Sequence, residues 1–96
     1  MTAVQSRMQK FAAGLLPVNP VADEDVSWTI EERLAHYNCP GVSVCVIRDG
    51  DIAEAAGFGG ITQGGAPVGA ETIFAGASIS KPLTAVLALQ LVDQGK

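Results

Sequence analysis

"GVSVCVIRDGDIAEAAGFG", residues 41 to 59, holds two apolar runs, 42–47 and 52–58, parted by Arg48-Asp49-Gly50-Asp51. Asp-Gly between such runs is the strongest short-range signal for a β-hairpin, because both residues tolerate the positive φ that a tight turn imposes. The stretch predicts a hairpin over 41–58. Its first strand is apolar on both alternations, with Val42, Val44 and Val46 on one face and Ser43, Cys45 and Ile47 on the other. That pattern predicts a strand covered on both sides.

Upstream of the hairpin, Thr29-Ile30-Glu31-Glu32 has the capping-box form, in which the threonine oxygen and the glutamate three residues on satisfy each other's exposed amides. Ile30, Leu34 and Tyr37 give the predicted helix, 29–38, an apolar stripe, and "NCPG" ends it. His36 lies on this helix with no His, Cys or carboxylate four residues on to complete a metal site, so it reads as structural. Further upstream, Val4, Met8, Phe11, Ala12, Leu15 and Leu16 recur at helical spacing until Pro17, predicting an amphipathic helix over 3–16 that covers one face of the strand. The acidic "ADEDV" at 22–26 reads as a solvated connection.

Downstream, residues 59–77 form a glycine-rich loop. The loop lacks the Lys-Ser/Thr ending of a phosphate loop, and its glycines do not fit dinucleotide spacing. Residues 78–94 are apolar nearly all the way round, with only Thr84, Gln90 and Asp93 as a thin polar strip. Such a helix is expected to be buried, with Gly95 just past its end.

Composition bounds the rest. The chain has 96 residues, 48% of them hydrophobic and 17% charged, enough for one small packed domain. A net charge of −4 provides no field to gather nucleic acid or an anionic membrane surface, and both partner classes are set aside. No apolar run approaches the roughly 20 residues needed to cross a bilayer. "FAAGLLPV", residues 11–18, behind Arg7 and Lys10, makes a poor export signal, and a cytoplasmic protein is expected. Cys39 and Cys45 define no disulfide framework and read as reduced, buried thiols. All the glycines except Gly14 lie at or after Gly41, so the turns concentrate in the second part. A hairpin and a buried helix cannot be covered by two short helices alone, which points to the N-terminal piece of a larger domain whose remainder lies in the same or a second chain.

One stretch can carry chemistry: "AGASISKPLTAVLALQ", residues 75–90, with the single Ser-x-x-Lys, Ser78-Ile79-Ser80-Lys81. On a helix, residues three apart share a face, so the Lys81 amine can reach the Ser78 hydroxyl. Serine is a poor nucleophile unless a base or a nearby cation activates it, and Lys81 can act in either way. The first-turn amides add to this, because the backbone N–H of Ser78 can supply half of an oxyanion hole. Pro82, in that turn, lacks an amide that would have little use there. The competing reading makes Ser78 or Ser80 an ordinary helix N-cap and Lys81 a solvated side chain.

"CPGVSVCVIRDG" at 39–50, "ETIFAGASISKPLTA" at 71–85 and "LQLVDQGK" at 89–96, in this order, resemble the N-terminal part of the serine β-lactamase-related family, which includes class C β-lactamases, penicillin-binding D,D-peptidases and related esterases. The resemblance implies an α+β fold of the β-lactamase/transpeptidase type, an antiparallel sheet flanked by helices, with Ser-x-x-Lys opening a buried helix. It implies that Ser78 is the nucleophile of an acyl-enzyme, that Lys81 is its partner, and that the substrate is a small-molecule ester, amide or β-lactam. No cofactor and no metal are implied. The family's Tyr-x-Asn and its Lys-Thr-Gly or His-x-Gly strand are not in these residues, and Tyr37 in "HYNCPG" does not match them. The expected activity is that of a serine hydrolase, carboxylesterase-like rather than β-lactamase or D,D-peptidase, inactive in this segment alone. The alternatives are a non-catalytic scaffold and one chain of a two-chain assembly.

Overall fold

The computed structural model describes residues 6–96. The chain order is helix α1 (Arg7–Ala13), helix α2 (Ile30–His36), strand β1 (Gly41–Arg48), strand β2 (Asp51–Gly59), a 3-10 turn (Ala77–Ile79) and helix α3 (Ser80–Asp93). Helices and a two-stranded antiparallel sheet make this a mixed α and β arrangement, compatible with the α+β class.

The hairpin turns on Asp49 and Gly50, at φ 53° and 83°, with Arg48 paired to Asp51 on either side. Two consecutive positive φ values define the tight turn whose twist matches that of the strands. Pairing then runs from Ile47 opposite Ile52 to Gly41 opposite Gly59, interrupted by an irregularity between Val46 and Ile47. Val46 faces Glu54 while Ile47 faces Ile52, so Ala53 has no partner. A one-residue bulge of this kind changes which face the following residues occupy. Straight pairing from the turn would set Glu54 opposite Cys45; the bulge sets it opposite Val46, beneath α1.

Two helices lie against the Val42, Val44, Val46 face. Ser6 caps α1 reciprocally with Gln9, and Thr29 caps α2 reciprocally with Glu32. Met8 from α1 and Ile30 from α2 are two of the three buried apolar side chains among the described residues; the third is Val68. Between the helices, Leu15 and Trp28 exchange both backbone hydrogen bonds at 2.9 Å. The Arg33 guanidinium sits 4.3 Å from the Trp28 ring centroid and 4.8 Å from that of Tyr37, and it donates to the Tyr37 hydroxyl at 2.9 Å. These contacts pin the connection 14–28 to α2.

Several sequence expectations require correction. The helix expected over 3–16 ends at Ala13, because Gly14 breaks it and Leu15 pairs with Trp28 instead; its residues 3–5 lie outside the described residues. The helix expected over 29–38 is Ile30–His36, since Thr29 is its cap and Asn38 takes a left-handed φ of 52°. The hairpin extends one residue further, to Gly59. β1 is covered on one face only: Ser43, Cys45 and Ile47 are exposed, and the strap 66–69 crosses just the Gly41–Gly57 end of their face. The two thiols, expected buried, are both exposed for the same reason, Cys45 lying on the open face and Cys39 beyond the end of α2.

Helix α3, expected to be buried against a remainder of the domain outside these residues, is exposed at every position here, Leu83 and Leu87 included. Within these residues its neighbour is the 3-10 turn from which it starts, so no layer lies on it. The radius of gyration, 18.1 Å, exceeds the roughly 12 Å of a compact chain this long, as an uncovered projecting helix requires.

Candidate active site

Ser78 lies in the middle of the 3-10 turn, and Lys81 is the second residue of α3. Both side chains are exposed. Lys81 follows Ser78 by three residues along a continuous turn-to-helix path, as the spacing predicts, but among the described residues no hydrogen bond joins the two side chains. Ser-x-x-Lys thus runs from the 3-10 turn into the start of α3, and the cover expected for that helix is not among the described residues.

The conformation leading into Ser78 is unusual. Ala77 holds φ at +46°, a left-handed value that a residue with a Cβ rarely adopts. Such strain persists only where the surroundings over-determine it, and it concentrates at functional sites. After Ala77 the chain turns immediately, with the Ile79 amide donating to the Gly76 carbonyl at 3.0 Å and the Ser80 amide to the carbonyls of Ala77 and Ser78.

Neither serine acts as a cap. The residue flanking α3 is Ile79, in a helical conformation and without a side-chain cap bond, and the 3-10 turn is likewise uncapped by any side chain. The Ser80 carbonyl accepts from the Thr84 hydroxyl at 2.9 Å, which ties the first turn of α3 from within. Among the described residues the Ser78 hydroxyl has no hydrogen-bond partner and its backbone amide no carbonyl partner. Both groups are thus unengaged within the described residues.

The segment approaching this turn is tied to the sheet further back. Val68 is 6% exposed, and its amide donates to the Gly59 carbonyl at 3.0 Å. A Cβ on Gly57 would lie 2.1 Å from the Val68 carbonyl oxygen, and one on Gly41 would lie 2.6 Å from Cγ2 of Val68. These two glycines let the strap lie directly on the sheet.

Other candidates lie elsewhere. Tyr37 is the C-cap of α2, its hydroxyl engaged by Arg33, and His36 packs edge-on against its ring at 4.9 Å between centroids. A cleft of about 650 Å³ lies between α1, the start of α2 and β2, and is lined by neither Ser78 nor Lys81. No group of three or more His, Cys, Asp or Glu side chains placed to hold a metal occurs among the described residues. No helix among them is long and apolar enough to cross a membrane.

A family model described as Beta-lactamase matches residues 26–96. The chain belongs to the β-lactamase family. The match takes in α2, the hairpin, the strap, the 3-10 turn and α3, and leaves α1 outside. No curated protein and no solved structure matches the chain. Membership of the β-lactamase family points to a serine-hydrolase-type superfamily and to small-molecule substrates.

Sequence reasoning missed Ala77, since alanine gives no hint of positive φ, and it missed the strap, whose signal was the pairing of a lone Val68 with the strand glycines Gly41 and Gly57.

Proposed function

We propose that this β-lactamase family chain carries the nucleophile of a serine hydrolase that acts on a small acyl donor through a covalent Ser78 ester. The observation that supports this best is a serine hydroxyl with no capping role, placed directly after the strained Ala77 and beside its own unpaired amide. Ser78 Oγ adds to the acyl carbonyl and gives up its proton; the leaving group departs with a proton as an alcohol or amine. Water then attacks the acyl-serine, releasing the acid and returning the hydroxyl. Lys81, one turn along, supplies a base or a stabilising positive charge.

Among acyl donors we favour carboxylic esters over β-lactams or peptides, with action in the cytoplasm. Of the stretch most like an export signal, 11–18, the first three residues end α1, whose Met8 is buried, and Leu15 pairs with Trp28, which supports reading it as part of the fold. A fluorophosphonate probe applied to the full-length protein tests the nucleophile: labelling at Ser78, lost in Ser78→Ala, is expected, and an intact folded protein that does not label overturns the reading. Comparison of p-nitrophenyl acetate with nitrocefin tests the class, turnover of the ester alone being expected. Residues 1–96 by themselves are expected to turn over neither, because a second oxyanion donor and a tyrosine base are not among them.

The exposure of both Ser78 and Lys81 favours a second reading, a non-catalytic relative that binds or scaffolds, or one chain of a two-chain assembly. A co-purified partner carrying Tyr-x-Asn and Lys- or His-x-Gly motifs would identify the assembly.

A further inference from the structure

Ala77 keeps its left-handed φ without help from glycine chemistry, so its conformation depends on where the chain is held on either side. On the C-terminal side, α3 and the Gly76–Ile79 hydrogen bond hold it. On the N-terminal side, Ile73 is 96% exposed and Phe74 is half exposed, and among the described residues no hydrogen bond fixes 73–76 before the Gly76 carbonyl. The nearest fixed point is Thr72. Its hydroxyl accepts from the Gly69 amide at 2.9 Å, and its own amide donates to the Gly69 carbonyl at 3.3 Å. This closed turn begins next to Val68, which is bonded to Gly59 and seated on Gly41 and Gly57.

We propose that Thr72 is a positioning residue for Ser78: the Gly69–Thr72 turn transfers the fixed placement of the Val68 strap on the sheet to the short span that presents Ala77 and Ser78. The inference rests on the reading of Ser78 as a nucleophile. Thr72 touches no reacting atom; it sets the direction in which the chain leaves the strap. Loss of its hydroxyl frees the Gly69 amide and gives 73–76 a choice of paths. In that ensemble Ala77 relaxes toward ordinary φ values, and Oγ of Ser78 spends less time in its attacking orientation.

Two variants in the full-length protein separate this from a loss of fold. Thr72→Val keeps the shape and removes the acceptor; Thr72→Ser keeps the acceptor. Fluorophosphonate labelling of Ser78, resolved into a binding constant and an acylation rate, should show an acylation rate about tenfold lower in Thr72→Val, the worth of one hydrogen bond, with binding unchanged. Thr72→Ser should recover the rate to within about twofold of the original, by retaining that bond. Original-rate acylation in Thr72→Val, or no recovery in Thr72→Ser, overturns the proposal. If the unsubstituted protein does not label, the acyl-transfer reading fails, and amide hydrogen exchange then decides the positioning on its own. Faster exchange of the Ile79 and Ser80 amides in Thr72→Val but not in Thr72→Ser upholds it, and equal exchange in all three overturns it.

Discussion

The Met8 amide donates to Oε2 of Glu54 at 2.9 Å, joining the first turn of α1 to β2 across 46 residues of sequence. The other carboxylate oxygen takes the Arg7 amide at 3.2 Å, so one strand side chain satisfies two of the N–H groups that a helix start leaves unpaired. The helix outside the family match is thereby fastened to the sheet inside it. Glu54→Gln removes the charge and one acceptor while keeping the shape, and should lower stability by about 1–2 kcal/mol, measured as a shift in the urea midpoint at constant slope. An unchanged midpoint would mean that α1 is held by Met8 and the Leu15–Trp28 bridge alone.

The strap over the sheet depends on the missing side chain at Gly57. Gly57→Ala would set a Cβ 2.1 Å from the Val68 carbonyl, a backbone atom that cannot rotate away, and should destabilise by about 2 kcal/mol or more. Gly69→Ala, where a Cβ meets nothing within 4 Å, is the control and should change stability by roughly 0.5 kcal/mol at most. Equal thermal midpoints for the two variants would show that the strap is not seated as described.

At the start of α2, Thr29→Ala removes the acceptor for the Glu32 amide and should cost about 1 kcal/mol, while Thr29→Ser should cost far less. Urea unfolding of both variants checks the order. A larger loss in the serine variant would place the threonine methyl, not the hydroxyl, in control.

The uncovered α3 makes a solution prediction. Leu83, Val86, Leu87, Leu89, Leu91 and Val92 are each at least half exposed, a continuous apolar surface of the kind that marks an unmade interface. Residues 1–96 alone should bind anilinonaphthalene sulfonate strongly and self-associate in sedimentation, and Leu83→Lys with Leu87→Lys should reduce both. Weak dye binding by the unsubstituted 96 residues would mean that α3 folds back onto them.

What the sequence made legible was local. Asp49-Gly50 named the hairpin, and Thr29 with Glu32 named the start of α2, because in each case the residues that determine the structure are neighbours. The start of α1 was equally available in Ser6-x-x-Gln9, a capping box that the apolar periodicity alone overran. Cover was legible only as a shortfall: strand β1 and helix α3 read as buried on two sides and two short helices read as too little to bury them, but which faces would stand open was not readable. Glu54 was hidden by a bulge that no residue pattern announces, and its partners lie 46 and 47 residues away. At the candidate site, spacing selected Ser78 and Lys81 and left open whether the serine was a cap. The absence of a cap bond and the φ of Ala77 are properties of the backbone path, which the identities of alanine and serine do not encode.

The Asp49–Gly50 turn also sets an order in time. A two-residue closure needs almost no search, and hairpins of this kind form within about 1–10 μs. The contact between Glu54 and the α1 amides closes a far longer loop, so it cannot lead. The hairpin must zip through its bulge before Glu54 faces the side on which α1 arrives. The turn that decides the register therefore also decides when the N-terminal helix can dock on the sheet, and the nascent chain carries α1 without its Glu54 anchor until that residue has been synthesised and paired.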